Sequence, residues 1–416
     1  MPRRLRVSSG GYAYHVLNRA VGRMKFDVFP STTTNKVRLR VTRAAAGRWS
    51  NGWPFITWKT PHQKNLQPIG QKRTDGAERR YTLHTTIAQL IHAGPVVTDG
   101  AWGTQLQRLG LPVGDCPDAW NLAHPERVEQ VARSYVEAGS RIVLTNTFGA
   151  NRFVLERYGL ADRAEEIVRA GIEISRRAAA DIVNSPLKKS IMGSLGSTAG
   201  LSSSEFAGIS SFTAGQASSG TLFQRAVKVF ASIGPSGKML MMGQVTEGEL
   251  RAAFSQHART CAEASADGIV IETMSDPAEA ALAIAAARET GLPVVACMTF
   301  DAGADKDRTL TGATPERAAE VLAAAGADVI GSNCGHGIDD MVKVCRRLHA
   351  ATDRPVWIKA NAGLPELVGG EIVYRQTPAQ FAAYAPQLVE AGASFVGGCC
   401  GTSPEFIRAV TEQLHK

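Results

Sequence analysis

The chain has 416 residues, 44% of them hydrophobic, with 46 lysines and arginines against 38 aspartates and glutamates. That apolar content suffices for a large buried core, and the absence of any run of eighteen apolar residues excludes a membrane-spanning helix. The net charge of +8 is local: residues 1–80 hold 17 basic and 3 acidic side chains, which leaves 29 and 35 for the rest, so the main body is a mildly acidic protein and not a general nucleic-acid binder.

Residues 1–85 read as a basic, disordered extension. Apolar residues are scattered without a sustained period, and Trp49, Trp53 and Trp58 lie among polar runs and prolines. The opening MPRRLRVSSGGYAYHVLNRAVGR is rich in arginine and free of acids, as in an organelle transit peptide. It also resembles the first residues of small tyrosine transposases associated with bacterial repeats. No paired-histidine metal motif follows, so that resemblance implies no nuclease, and a fusion remnant or misplaced start is the preferred reading.

From Thr86 onward, short β-branched runs alternate with alanine- and glutamate-rich helical stretches. Strands are expected at 95–100, 141–148, 228–234, 268–274, 293–300, 328–335, 355–363 and 394–401. Helices are expected at 125–138, 162–184, 247–264, 277–290, 315–325, 339–350, 378–391 and 404–415. Several open on a Ser, Thr or Asp cap followed by Pro, as in Asp276-Pro277, Thr314-Pro315 and Ser403-Pro404. Eight βα units predict an α/β fold, a (β/α)8 TIM barrel over 86–416; an open doubly wound sheet is the alternative. A Ser/Gly-rich insertion, 184–226, interrupts it and receives no catalytic role.

Seven cysteines, two of them adjacent, in a chain of this length read as reduced thiols of a cytoplasmic protein and not as a disulfide framework. Cys334 closes the sixth strand in SNCG, and Cys399 and Cys400 close the eighth in GGCCGT. In a barrel those strand ends converge, and three thiolates with one open position make a catalytic Zn2+ site. Gly397, Gly398 and Gly401 are expected to let consecutive residues aim two sulfurs at one ion. A vicinal disulfide is the rival for the pair but leaves Cys334 unexplained. His336 is a weak candidate for a fourth ligand; Cys116, Cys261, Cys297 and Cys345 read as core residues. Such a thiolate-rich centre suits ionising an incoming thiol and leaving it nucleophilic, which points to alkyl transfer and away from hydrolysis.

The motifs TDGAWGTQLQRLG, EAGSRIVLTNTFGAN, ASIGPSG, DGIVIETMSD, GSNCGHG, ANAGLPE and FVGGCCGTSPEFI fall in order near successive strand ends. In them the chain resembles the homocysteine S-methyltransferase family, which includes betaine– and S-methylmethionine–homocysteine methyltransferases and the N-terminal barrel of cobalamin-dependent methionine synthase. The resemblance implies an enzyme of methionine biosynthesis, with Cys334, Cys399 and Cys400 as zinc ligands. Asp99 and Glu272 would hold the homocysteine ammonium, while Thr145, Asn146 and Thr147 would hydrogen-bond the substrate. Asn361 and Gly363 would shape the pocket, and Gly234 to Gly237 would offer backbone N–H groups to its carboxylate. Trp102 departs from the family pattern and is expected to tune donor access.

The expected reaction is methyl transfer to the homocysteine thiol. Its donor is an onium compound or a methyl-corrinoid or folate system on a separate protein, since one helix follows Cys400 and no such module is expected in the chain itself. The alternatives are a nucleic-acid-binding fusion through the basic extension, or a catalytically silent zinc-binding barrel subunit. Neither a membrane nor nucleic acid is an expected partner of the barrel.

Overall fold

A computed structural model describes two short strands at 24–29 and 38–43 and residues 81–181, 227–368 and 371–415. The chain divides into two units, Met1–Thr82 and Leu83–Lys416. The insertion 184–226 and most of the extension lie outside the described residues. Within the first unit, Met24–Phe29 and Arg38–Arg43 form an antiparallel pair that opposes Phe26 to Val41 and Val28 to Leu39.

The second unit is the (β/α)8 barrel. Its strands are β1 (Val96–Val97), β2 (Ile142–Leu144), β3 (Lys228–Ile233), β4 (Gly268–Met274), β5 (Val294–Met298), β6 (Val329–Gly337), β7 (Val356–Asn361) and β8 (Ala393–Gly398). All pair in parallel in sequence order, β8 pairs with β1, and a parallel bridge from Thr98 to Ile142 joins β1 to β2. Helices cover the outer face, so most strand residues are buried on both sides, which is why the strands read as continuous Val/Ile runs.

Inward-facing positions recur every second residue along each strand. Ile142, Phe230, Val270, Val295, Val329, Trp357 and Phe395 fill one interior layer together with Ile87 and Leu90 from a helix, Thr85–Ile91, that precedes β1. Phe230, Trp357 and Phe395 pack ring on ring, with centroids 6.4 and 5.0 Å apart. Two residues further along the same strands come Ser232, Glu272, Cys297 and Lys359. The interior is thus apolar on the side of Thr85–Ile91 and becomes polar toward the C-terminal strand ends.

Two departures from expectation follow β7. The helix expected at 378–391 is broken into Pro378–Ala382 and Ala385–Glu390, because Pro386 has no N–H to continue the ladder. The loop after β7 contains an antiparallel hairpin, Pro365–Val368 with Glu371–Tyr374.

Candidate metal centre

Cys334, Cys399 and Cys400 are each partly exposed, and their sulfurs all lie within 4.8 Å of one another. Cys334 Sγ is 3.9 Å from Cys400 Sγ. A tetrahedral zinc with Zn–S bonds of ~2.3 Å separates its sulfurs by ~3.8 Å, so the donor set fits that ion. No disulfide joins the adjacent pair, and no histidine or carboxylate joins the trio among the described residues. His336 lies outside it, with both ring nitrogens buried. Cys116, Cys261, Cys297 and Cys345 are buried free thiols elsewhere.

The local backbone explains how three sulfurs meet. Cys334 adopts a left-handed conformation, φ +62°, followed by Gly335 at +73°. Cys399 and Cys400 lie just past the end of β8, where strand alternation no longer applies. The Cys399 N–H donates to Ala360 O at 2.6 Å, and Cys399 O accepts from the Thr402 hydroxyl at 2.7 Å. Of the three glycines expected to supply backbone freedom, only Gly401 has a positive φ. Gly397 and Gly398 are needed for a different reason: a Cβ on either would collide with Thr98 or Thr402.

Taken together, the packed thiols resist ionisation. A hydrogen bond with Cys399 favours the Cys334 thiolate, but contact with Cys400 and burial outweigh it and push that thiol up to about 12. Three thiols packed this way become three thiolates only when a cation compensates them.

Asp99 is fully buried, and its carboxylate is already engaged. Oδ2 accepts from Leu144 N and Trp102 Nε1, both at 2.8 Å, and Oδ1 pairs with Lys359 Nζ at 2.5 Å. Trp102 therefore orients Asp99. Glu272, also buried, accepts from Ser232 Oγ at 2.5 Å and, at 3.5 Å, from Asn333 Nδ2. Burial pushes the Glu272 carboxyl above its ordinary range, against the pull of Lys359 and the bond from Ser232. Burial favours the neutral amine of Lys359, but Asp99 and Glu272 outweigh it and hold the ammonium form.

The other expected substrate contacts are engaged with the protein itself. Thr147 Oγ1 donates to Ser232 O at 2.8 Å, so Thr145 donates in the 2.6 Å contact between the two hydroxyls while accepting from Ser232 N at 3.2 Å. Asn146 Nδ2 is held by Pro117 O at 2.7 Å and Asn121 Oδ1 at 2.9 Å. These residues fasten β2 to β3 and to the loop after β1. In the segment 234–237, Gly234 N donates to Phe148 O at 2.8 Å and Ser236 N to Glu279 Oε1 at 2.7 Å, so neither amide is available to a carboxylate. Asn361 Nδ2 braces Gly335 O at 3.1 Å, and Gly363 turns the chain at φ +87°.

Three residues escaped sequence reasoning. Lys359 was hidden because a charged residue in a strand reads as exposed. Asn333, beside Cys334, bonds Thr273 N and Oγ1, each at 2.7 Å, and lies 3.8 Å from Cys399 Sγ. Tyr374, from the hairpin, packs on Gly401 with its hydroxyl against Cys400.

The profile of the homocysteine S-methyltransferase family matches residues 96–414. Methionine synthase of Mycobacterium tuberculosis is 29% identical over 347 residues, covering 80% of this chain and 26% of that protein. The Mycobacterium leprae methionine synthase is 28% identical, with 80% and 25% covered. The chain thus spans about a quarter of the length of these curated relatives. The metallated crystal structure of the homocysteine methyltransferase MmuM from Escherichia coli shares the fold, with a TM-score of 0.58 at 20% identity, covering 79% of this chain and 99% of that one.

Proposed function

Because this chain belongs to the homocysteine S-methyltransferase family, we propose that it methylates the sulfur of homocysteine, giving methionine, at a zinc ion held by Cys334, Cys399 and Cys400. The observation that carries the reading is the meeting of three thiols from two separate strand ends within 4.8 Å. Zinc held there by Cys334, Cys399 and Cys400 would lower the pKa of a substrate thiol toward neutrality while leaving its sulfur nucleophilic.

The chain's own residues do the rest. Asn333 ties the end of β4 to that of β6 and so sets the position of the neighbouring Cys334. Glu272, with an oxygen only weakly engaged by Asn333, is the carboxylate with capacity for a substrate ammonium. Tyr374 packs on Gly401 and sets its hydroxyl against Cys400, beside the partly exposed pair.

For the donor, we favour a methyl group presented by a separate corrinoid- or folate-bearing protein or domain over a free onium compound. Among the described residues the exposed large hydrophobic side chains are Val113, Phe148, Tyr158, Met241, Met242, Leu310, Leu364, Leu367, Val368 and Ile372. All but Val113 and Tyr158 lie between a strand end and the next α-helix, on the face that carries the thiols. Exposed apolar side chains on that face suit a macromolecular partner.

The test is zinc quantification with methionine formation from homocysteine, using S-methylmethionine, betaine and a methyl-corrinoid protein in turn. Cys399→Ala is expected to lose zinc and turnover together. A metal-free variant that still turns over would refute the role of the thiols, and efficient turnover with a soluble onium alone would refute the preferred donor.

A further inference from the structure

Lys359 is a buried cation in the barrel interior. It occupies an inward position of β7, two residues beyond Trp357, and is 2% exposed. Its ammonium pairs with Asp99 Oδ1, while the other oxygen of Asp99 is taken by a backbone amide of β2 and the Trp102 indole. Asp99 therefore already has a counter-ion and two further donors supplied by the protein. A second ammonium arriving from a substrate would have to displace Lys359, leaving that charge buried without a partner, which is strongly unfavourable.

Charge counting points the same way. Asp99, Glu272 and Lys359 are all buried and electrostatically coupled, and together they carry one net negative charge when ionised. One incoming ammonium neutralises that set. Without the lysine, two buried carboxylates would share one ammonium and one of them would take up a proton.

We propose that Lys359 is a positioning and specificity residue: it permanently neutralises Asp99 and leaves Glu272 as the single carboxylate that receives the acceptor's ammonium group. The assignment rests on the reading above that the acceptor is homocysteine. It makes the preference for an amino-bearing thiol a property of Glu272, with Asp99 acting only through Lys359.

The test compares two thiols, homocysteine and 4-mercaptobutanoate, which lacks only the amino group. Dissociation constants are measured by titration calorimetry on zinc-loaded protein, and KM and kcat are measured alongside. Glu272→Gln is expected to reduce the preference for homocysteine by about tenfold or more, the loss of one charge-assisted hydrogen bond. The double variant Asp99→Asn/Lys359→Met removes the ion pair as a unit. It is expected to weaken both thiols alike and to keep their ratio within about threefold of the wild type, because only an ammonium contact at Asp99 would change the ratio. Lys359→Met alone leaves Asp99 bare and is expected to fold poorly, which is why the double variant decides. A double variant that loses the amino preference as fully as Glu272→Gln overturns the assignment, as does a Glu272→Gln protein that keeps it. Zinc-loaded wild type that binds neither thiol overturns the acceptor reading and this inference with it.

Discussion

Cys334 offers a test that separates backbone strain from ligation. Its φ of +62° lies in the left-handed region, which costs a residue with a Cβ ~1–2 kcal/mol and glycine almost nothing. At an ordinary position glycine is the poorer residue, by ~0.5–1 kcal/mol relative to alanine. The two effects oppose each other at this position, and the difference favours glycine by ~0.5–1 kcal/mol. Cys334→Ala and Cys334→Gly both remove the thiol, so both are expected to lose tight zinc binding. On chelator-treated protein, urea unfolding is then expected to show Cys334→Gly more stable than Cys334→Ala by about that difference, the reverse of the usual order. If the alanine variant is equally or more stable, the thiol is not held in a strained conformation and the account of how three sulfurs converge is wrong.

Two further predictions concern the packing around the site. Gly397→Ala would place a Cβ against Thr98 Oγ1 and 2.8 Å from the Asp99 carbonyl oxygen, neither able to retreat without moving β1. A loss of ~1–3 kcal/mol is expected, with reduced zinc retention; wild-type stability and metal content would contradict the close approach of β1 to β8. Burial pushes the Asp118 carboxyl from its ordinary 3.8 up to about 6. A folded-state value raised in this way favours the fold most below pH ~4, and that contribution is lost as pH rises through about 6, a swing of ~3 kcal/mol. Asp118→Asn is expected to abolish that decline in urea unfolding between pH 4 and 7 and to be the more stable protein at pH 7; identical pH profiles would refute the assignment.

The barrel was legible because its signals are local. Short β-branched runs, caps such as Thr314 before Pro315 and Glu316, and glycines after helices each report on their own segment. The convergence of Cys334 with Cys399 and Cys400 followed from strand order alone, since the ends of β6 and β8 flank that of β7 in any closed eight-stranded barrel. The break at Pro386 was equally local and could have been read from the missing N–H. What a list of strands hides is which way a side chain faces and what already occupies it. Asp99 and Glu272 look alike as strand-end carboxylates, yet one carries three protein donors and the other retains capacity. Trp357 and Lys359 share one face of β7, and only the closed interior shows that the lysine must be buried with its partner.

Strain and hydrogen bonding at the thiol site belong to one device. Of the four non-glycine residues with positive φ among those described, two, Thr273 and Cys334, lie at the ends of β4 and β6. The Asn333 amide joins them: it accepts from Thr273 N and donates to Thr273 Oγ1, and it immediately precedes Cys334. On the far side, Asn361 braces Gly335, and Thr402 with Ala360 fixes the backbone of Cys399. None of these contacts involves a sulfur ligating an ion. The left-handed turn that aims Cys334 at the pair is therefore held by amides and hydroxyls of neighbouring strands. The arrangement has a chemical consequence. Three thiols held close together resist ionising singly, as the elevated Cys334 shows, so a cation that binds all three must displace their protons, and metal retention is expected to weaken as pH falls.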